Sequence, residues 1–416
     1  MSQETISSSF GPIFDTHEHF GYFSEYSPAN SSLTLVDVIN HAYMNVGQPS
    51  TDYKTICERL NRYAGSSRFE ALRQAIRALH GLDMYPLVPS TLASIDTKIQ
   101  EESTDPWHPF AILKDRGNVA AIIMDIPVEK RARWDDPSIR YTIRIDDVIF
   151  PFTHVKPGIY KTETGLNKIE TFAVKQGMAL DSLDMFDDAM ERYLQALKPS
   201  TASIKIGTAY QRSNHFHLEE NDDGQVTSIY ARIADKQGAI SEHEMRCWGD
   251  YIVTRLLGFA QVENLPVQVH TGLASMQETS PLELVEIMGA FPGVTFDLFH
   301  GGYPFHHCMP GVLDKCSNSR IDLCWLPLLS ETATTELLRD IIEMGQSDRV
   351  LAFGGDCQSP YGSYGALLVI KDLLATILER FVNSGRLTRE DAIAMGNEML
   401  WDTPRAVFRW NNELHA

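Results

Sequence analysis

The segment Phe14-Asp15-Thr16-His17-Glu18-His19 closes a short apolar run with two histidines two residues apart. In an extended strand such residues share a face, so the imidazoles of His17 and His19 can converge on one point. Imidazole pairs suit zinc and neighbouring transition metals. Three more runs end on a candidate ligand. Pro266-Val267-Gln268-Val269-His270-Thr271-Gly272 and Phe296-Asp297-Leu298-Phe299-His300-Gly301-Gly302 each place a histidine before a glycine turn, and Leu351-Ala352-Phe353-Gly354-Gly355-Asp356 places an acid there. Ser203-Ile204-Lys205-Ile206-Gly207 sets a lysine inside an apolar run, where an unpaired ammonium is costly. Core packing explains any one of these residues but not the conjunction.

The elements that must carry them alternate in the manner of βα units. Eight strands are expected, at Pro12–Thr16, Val119–Ile126, Val148–Thr153, Ala202–Gly207, Pro266–His270, Val294–His300, Ile321–Leu326 and Arg349–Phe353. Eight parallel strands close a (β/α)8 TIM barrel, and every strand's C-terminal end then opens on one face, where active sites sit. The whole chain, 1–416, reads as one such barrel. Residues 30–115 interrupt it after strand one and carry apolar residues at helical spacing over Tyr53–Tyr63 and Ser67–Leu79, which predicts a helical cap. A second insertion, Gln211–Ser241, is polar and reads as a loop or short hairpin before a helix at Glu242–Val262. Helices at Tyr364–Ser384 and Arg389–Phe408 close the chain, with Gly385 suited to a C-cap.

This ordered set, HxH on strand one, Lys on strand four, His on strands five and six and Asp on strand eight, resembles the amidohydrolase superfamily, nearest its amidohydrolase 2 branch. Lys205-Ile206-Gly207-Thr208-Ala209-Tyr210, Gln268-Val269-His270-Thr271-Gly272 and Leu298-Phe299-His300-Gly301-Gly302-Tyr303-Pro304 look most like amidohydrolase-like domains fused to glutamine synthetase-like domains. The insertion, with Phe69-Glu70-Ala71-Leu72-Arg73 and Ile76-Arg77-Ala78-Leu79-His80-Gly81, is also similar to uronate isomerases. The resemblance implies that His17, His19, His270 and Asp356 bind a divalent metal, usually zinc, with one or two ions in all. It implies that His300 ligates a second metal or contacts substrate or water. Lys205 is then either carboxylated and bridging, or a cation facing a substrate anion. Three imidazoles and a carboxylate suit zinc, which acidifies water to a pKa of about 7. Asp356 can take the water's proton and pass it to the leaving group, while His300 or the metal polarises the scissile carbonyl.

Around that centre the readings divide. Tyr210 and Arg212 bind an anionic substrate or are solvated loop residues; His154 enters the pocket or is a loop histidine. Glu18 should point away from the histidines, and Asp15 should orient a ligand or cap the loop rather than bind metal. His215, His217, His306 and His307 lie in loops over the same face, and Trp325 is a core or wall residue.

The net charge of −19 argues against nucleic-acid and anionic-membrane partners. With 43% hydrophobic and 22% charged residues, the composition is that of a soluble globular protein. Six cysteines without a CxxC pair and an N-terminus without a signal pattern point to the cytoplasm. A small-molecule substrate is expected, and homo-oligomerisation stays open. The leading activity is metal-dependent hydrolysis of an amide (C–N) bond in a small carboxylate-bearing molecule. Uronate isomerase-like isomerisation of a sugar acid and non-oxidative decarboxylation are the alternatives; a non-catalytic scaffold would be expected to have lost ligands, and none is missing.

Overall fold

Short apolar runs form the parallel strands of a (β/α)8 barrel in the computed structural model of the chain, which describes residues 5–20, 33–48, 52–104, 107–156, 159–162, 167–218, 223–234, 239–276 and 278–410. The described strands are β1 Ile13–Glu18, β2 Val119–Met124, β3 Ile139–Arg144, β4 Phe152–Lys156, β5 Ile159–Thr162, β6 Thr201–Ile206, β7 Ala239–Ser241, β8 Val267–Val269, β9 Phe296–Leu298, β10 Ser319–Asp322 and β11 Val350–Leu351. The eight-stranded sheet runs β1-β2-β3-β6-β8-β9-β10-β11, and β4, β5 and β7 make a separate antiparallel sheet. Every residue of β1 and β6 is buried, as strands covered on both faces require.

The chain divides into two compact units, Met1–Arg140 with Ile321–Ala416, and Tyr141–Arg320. In the first, β1 pairs with β2 and β10 with β11, all parallel. The backbone after β11 runs along β1: the Thr16 N–H donates to the Phe353 carbonyl (3.1 Å), the Asp356 N–H to the His17 carbonyl (2.8 Å) and the His19 N–H to the Cys357 carbonyl (3.2 Å). On its outer side β1 is covered by the C-terminal segment, where Phe14 stacks on Phe408 (5.5 Å) and meets Trp410 edge-on (5.1 Å).

The insertion after β1 is helical over Leu35–His41, Tyr53–Leu60, Ser67–His80 and Pro89–Glu102. Ser66 caps Ser67–His80 by accepting from the Phe69 N–H, and left-handed Gly81 (φ 68°) ends it. Its buried stripe, Phe69, Leu72, Ala75 and Ile76, recurs at helical spacing. The helix packs on Pro360–Asn383, where Gly365 leaves room for the Ala71 carbonyl in the place a Cβ would occupy.

In the second unit β3, β6, β8 and β9 pair in parallel. Two expectations are corrected here. The third barrel strand is Ile139–Arg144, not Val148–Thr153: Asp146–Ile149 is a helical turn and Phe152 begins β4 of the antiparallel sheet. The second insertion is not all loop, because Asp223–Ala234 is a helix and Ala239–Ser241 adds a strand to β5. The helix at Glu242–Glu263 follows behind a Ser241 capping box. All six cysteines are free thiols. None of the described helices is long and apolar enough to cross a membrane.

Candidate metal centre

In the first unit β1 brings His17 and His19 together, with ring centroids 4.8 Å apart. A ligand atom from each, with one from Asp356, lies within 4.8 Å of the others. His19 Nε2 is 2.8 Å from Asp356 Oδ1, and its Nδ1 is 3.1 Å from the Asp125 carbonyl. A carbonyl only accepts, so Nδ1 carries a proton in that contact, and Nε2 is the ring nitrogen turned to Asp356. His17 is buried, its Nε2 3.6 Å from Asp125 Oδ2, while the His19 and Asp356 side chains keep 19% and 16% exposure, so the cluster is open to a small ligand. Two imidazoles and a carboxylate, orientation fixed by a hydrogen bond behind, are the donor set of a divalent metal such as zinc, and these residues fit one.

Asp356 stands in left-handed backbone (φ 48°), as does Trp325 (φ 61°) past β10. A non-glycine residue in that region costs free energy, and such residues concentrate where function fixes them.

Beneath the histidines lies a buried carboxyl pair. Asp15 Oδ1 accepts from the His17 and Gly355 N–H groups (3.2 Å each), and Glu18 Oε2 from the Cys357 N–H (3.1 Å). Burial pushes the Asp15 carboxyl up to about 7, against those hydrogen bonds. Burial, and next the charge of Asp15, hold Glu18 well above the carboxylate range. Strict alternation would separate the two side chains; a register irregularity between Asp15 and Glu18 breaks it and lets them meet.

The second unit carries the other candidates. His270, just past β8, has Nδ1 3.2 Å from His300 Nε2, so one ring donates to the other. Asn214 Nδ2 donates to the His270 carbonyl (2.8 Å), and the exposed Tyr210 ring lies 4.9 Å from the His270 ring. His300 is buried in left-handed backbone (φ 62°) past β9. Lys205, buried on β6, points its Nζ at the Phe299 ring, 3.0 Å from the centroid.

Arg212 is committed elsewhere, which corrects its reading as a substrate contact. It is buried against Asp250 Oδ1 (2.5 Å) and donates to the Ser213, His215 and Arg246 carbonyls. His154 sits on β4 opposite Tyr160, on the antiparallel sheet rather than at a barrel strand end, and its side chain lies outside the described residues. His215 Nδ1 pairs with Glu283 (2.9 Å), and His306 stacks on Tyr303. Asp125 went unread in the sequence. The signal was there: Ile122-Ile123-Met124-Asp125 ends an apolar strand on an acid, as the run to Asp356 does.

Comparison with known proteins places the chain in a family and matches its fold. The amidohydrolase family model Amidohydro_2 matches residues 177–410. A curated relative, Protein fluG of Emericella nidulans, is 24% identical over 207 residues, 47% of this chain, and the match spans 24% of that protein's length. Among solved structures, uronate isomerase from Thermotoga maritima superposes with a TM-score of 0.77 at 13% identity, over 97% of this chain and 96% of that one. Glucuronate isomerase from Caulobacter crescentus gives 0.73 at 14% identity, over 97% and 93%. A protein from Lactobacillus casei described as a metal-dependent hydrolase gives 0.68 at 15%, over 98% of both chains. At such identities the structural likeness bears on the fold alone.

Proposed function

We propose that the chain, which belongs to the amidohydrolase family, is a metal-dependent hydrolase that cleaves an amide C–N bond in a small carboxylate-bearing molecule. The observation that carries this reading is the His17–His19–Asp356 cluster with its His19 tautomer set from behind. His17, His19 and Asp356 would hold one divalent ion, most simply zinc, with His270 as the fourth ligand. When bound, the ion supplies Lewis acidity and lowers the pKa of water to about 7. Asp356 holds the proton taken from water and delivers it to the leaving nitrogen. His300 and Tyr210 orient the substrate carbonyl beside His270, and Lys205 faces a substrate oxyanion as a cation rather than serving as a bridging carbamate. The helices of residues 30–115 cap the site and restrict what enters.

Sugar-acid isomerisation is the second reading, supported by the near full-length likeness to uronate isomerases. Metal analysis of the purified protein tests the centre: the expected result is one equivalent per chain, lost in His17→Ala and in His270→Ala with the fold retained. Two equivalents, falling in Lys205→Ala, would overturn the single-ion form. A screen of N-acyl amino acids, γ-glutamyl amides and uronates then separates the activities. Amine release supports hydrolysis, and ketose formation from a uronate would replace it.

A further inference from the structure

Arginines withdrawn from water commonly pair with an anion. In this chain Arg212 meets Asp250, Arg144 meets Asp146 and Arg73 meets Asp83. Arg68, in the first turn of the helix Ser67–His80, meets none among the described residues. It is half-buried, and its guanidinium carbon lies 5.4 Å from the centroid of the Trp325 ring and 5.6 Å from that of Tyr43. Those two rings are 4.9 Å apart and tilted, so the guanidinium and the two rings form a triangle in which both rings lie on one side of the cation. The groups that act on its charge are the Tyr43 and Tyr63 phenols and the Cys357 thiol, none of them a carboxylate. Desolvation pulls its pKa down, so the site works against the cation it holds.

Ring contacts hold the cation only weakly, and they leave the fork of N–H donors available for a bidentate acceptor. The position gives that acceptor a purpose. Trp325 directly follows Cys324, whose Sγ lies within 4.8 Å of a carboxylate oxygen of Asp356. The Trp325 N–H donates to the Gly354 carbonyl (3.0 Å), two residues before Asp356. Arg68 therefore stands one aromatic layer away from the metal-ligand cluster. Tyr43 is 46% exposed, which leaves that layer open to water. The chain's net charge of −19 disfavours anions on average, and a cation beside the site without a carboxylate partner gives an anionic substrate a fixed point.

We propose that Arg68, seated against the Trp325 and Tyr43 rings, anchors a carboxylate or phosphate oxyanion of the substrate. This rests on the reading above for the reacting end and assigns the other end. Arginine suits it because both oxyanions accept two parallel N–H bonds, which a lysine cannot supply.

Isothermal titration of the metal-loaded protein with glutarate, and separately with inorganic phosphate, tests the anchor in wild type, Arg68→Met and Arg68→Lys. Metal equivalents and melting temperature are measured on each sample. The expected result is binding of at least one probe by wild type, weakened tenfold or more in Arg68→Met and partly retained in Arg68→Lys, at unchanged metal content. The probe that binds more tightly names the oxyanion. Should Arg68→Met fail to fold, Arg68→Lys and Arg68→Gln carry the comparison. Unaltered binding in folded Arg68 variants, or no binding of either probe by wild type, would overturn the proposal. Absence of metal from all samples would instead fault the metal centre, and the anion titrations would still decide Arg68.

Discussion

Replacing Arg212 by methionine should destabilise the second unit severely while leaving catalysis in the surviving folded fraction. The Arg212 and Asp250 side chains are 1% and 3% exposed, so deleting the guanidinium strands a carboxylate out of reach of water. The His217 N–H (3.1 Å) remains as a partner for Asp250 and cannot neutralise it. Breaking one side of a buried pair costs about 3–5 kcal/mol. Residues 141–320 number 180 (320 − 141 + 1), and a cooperative unit of that size loses roughly 2–4 °C per kcal/mol, giving a fall of about 6–20 °C in melting midpoint. Calorimetry with urea unfolding monitored by circular dichroism reads it. The double variant Arg212→Met with Asp250→Leu should recover much of the loss, because the stranded charge goes with it. A shift under about 1 kcal/mol together with a raised KM for an anionic substrate would refute this reasoning and return Arg212 to the substrate site.

Asp125→Ala removes the carboxylate beside His17, and metal affinity measured by chelator competition should weaken about 10–100-fold, with unaltered affinity counting against a supporting role. Gly272→Ala should destabilise by more than about 1 kcal/mol, since φ is 76° and the new Cβ would press on the Gly302 and Tyr303 carbonyls; a neutral result in urea melts would show that the turn relaxes. Arg73 donates to both Asp83 oxygens and holds that carboxyl down at about 2, below its unfolded value of 3.8. A depressed folded pKa means stability present above pH 4 and lost as pH falls from about 4 through 2; with both side chains about a third exposed, screening limits it to under about 1 kcal/mol, so Arg73→Ala should flatten the acid limb of a pH–stability profile by no more than that.

The barrel strands that end on chemistry were the most legible part of the chain. Candidate ligands follow β1, β8, β9 and β11, and the apolar run before each marks the strand. Ile139–Arg144 escaped because Arg140 and Arg144 give it the alternating look of a half-solvated strand. The structure uses both locally: Arg140 stacks over the Trp410 ring (4.3 Å), and Arg144 pairs with Asp146 (2.6 Å). Val148-Ile149-Phe150, more apolar, drew the strand assignment instead and is largely a helical turn whose burial comes from packing on Glu242–Glu263. The role of Arg212 was illegible for a related reason, since a loop arginine reads as a ligand contact until Asp250, 38 residues away, is seen against it. Left-handed backbone at His300, Trp325 and Asp356 has no signature at all, because none of them is glycine.

The lacing of β1 to the chain after β11 fixes when the His17–His19–Asp356 cluster can first exist during synthesis. The contacts from Thr16, Asp15 and Glu18 reach partners 337 to 340 positions onward. Contacts of such sequence separation come late in folding, after loop-closure entropy has been met. A nascent chain that has exposed His17 and His19 holds an isolated imidazole pair until residue 356 has left the ribosome, and Asp356 joins it only then. The His17–His19–Asp356 cluster is thus complete only in a chain that has been made through residue 356 and folded back on β1: chains truncated before that residue lack it.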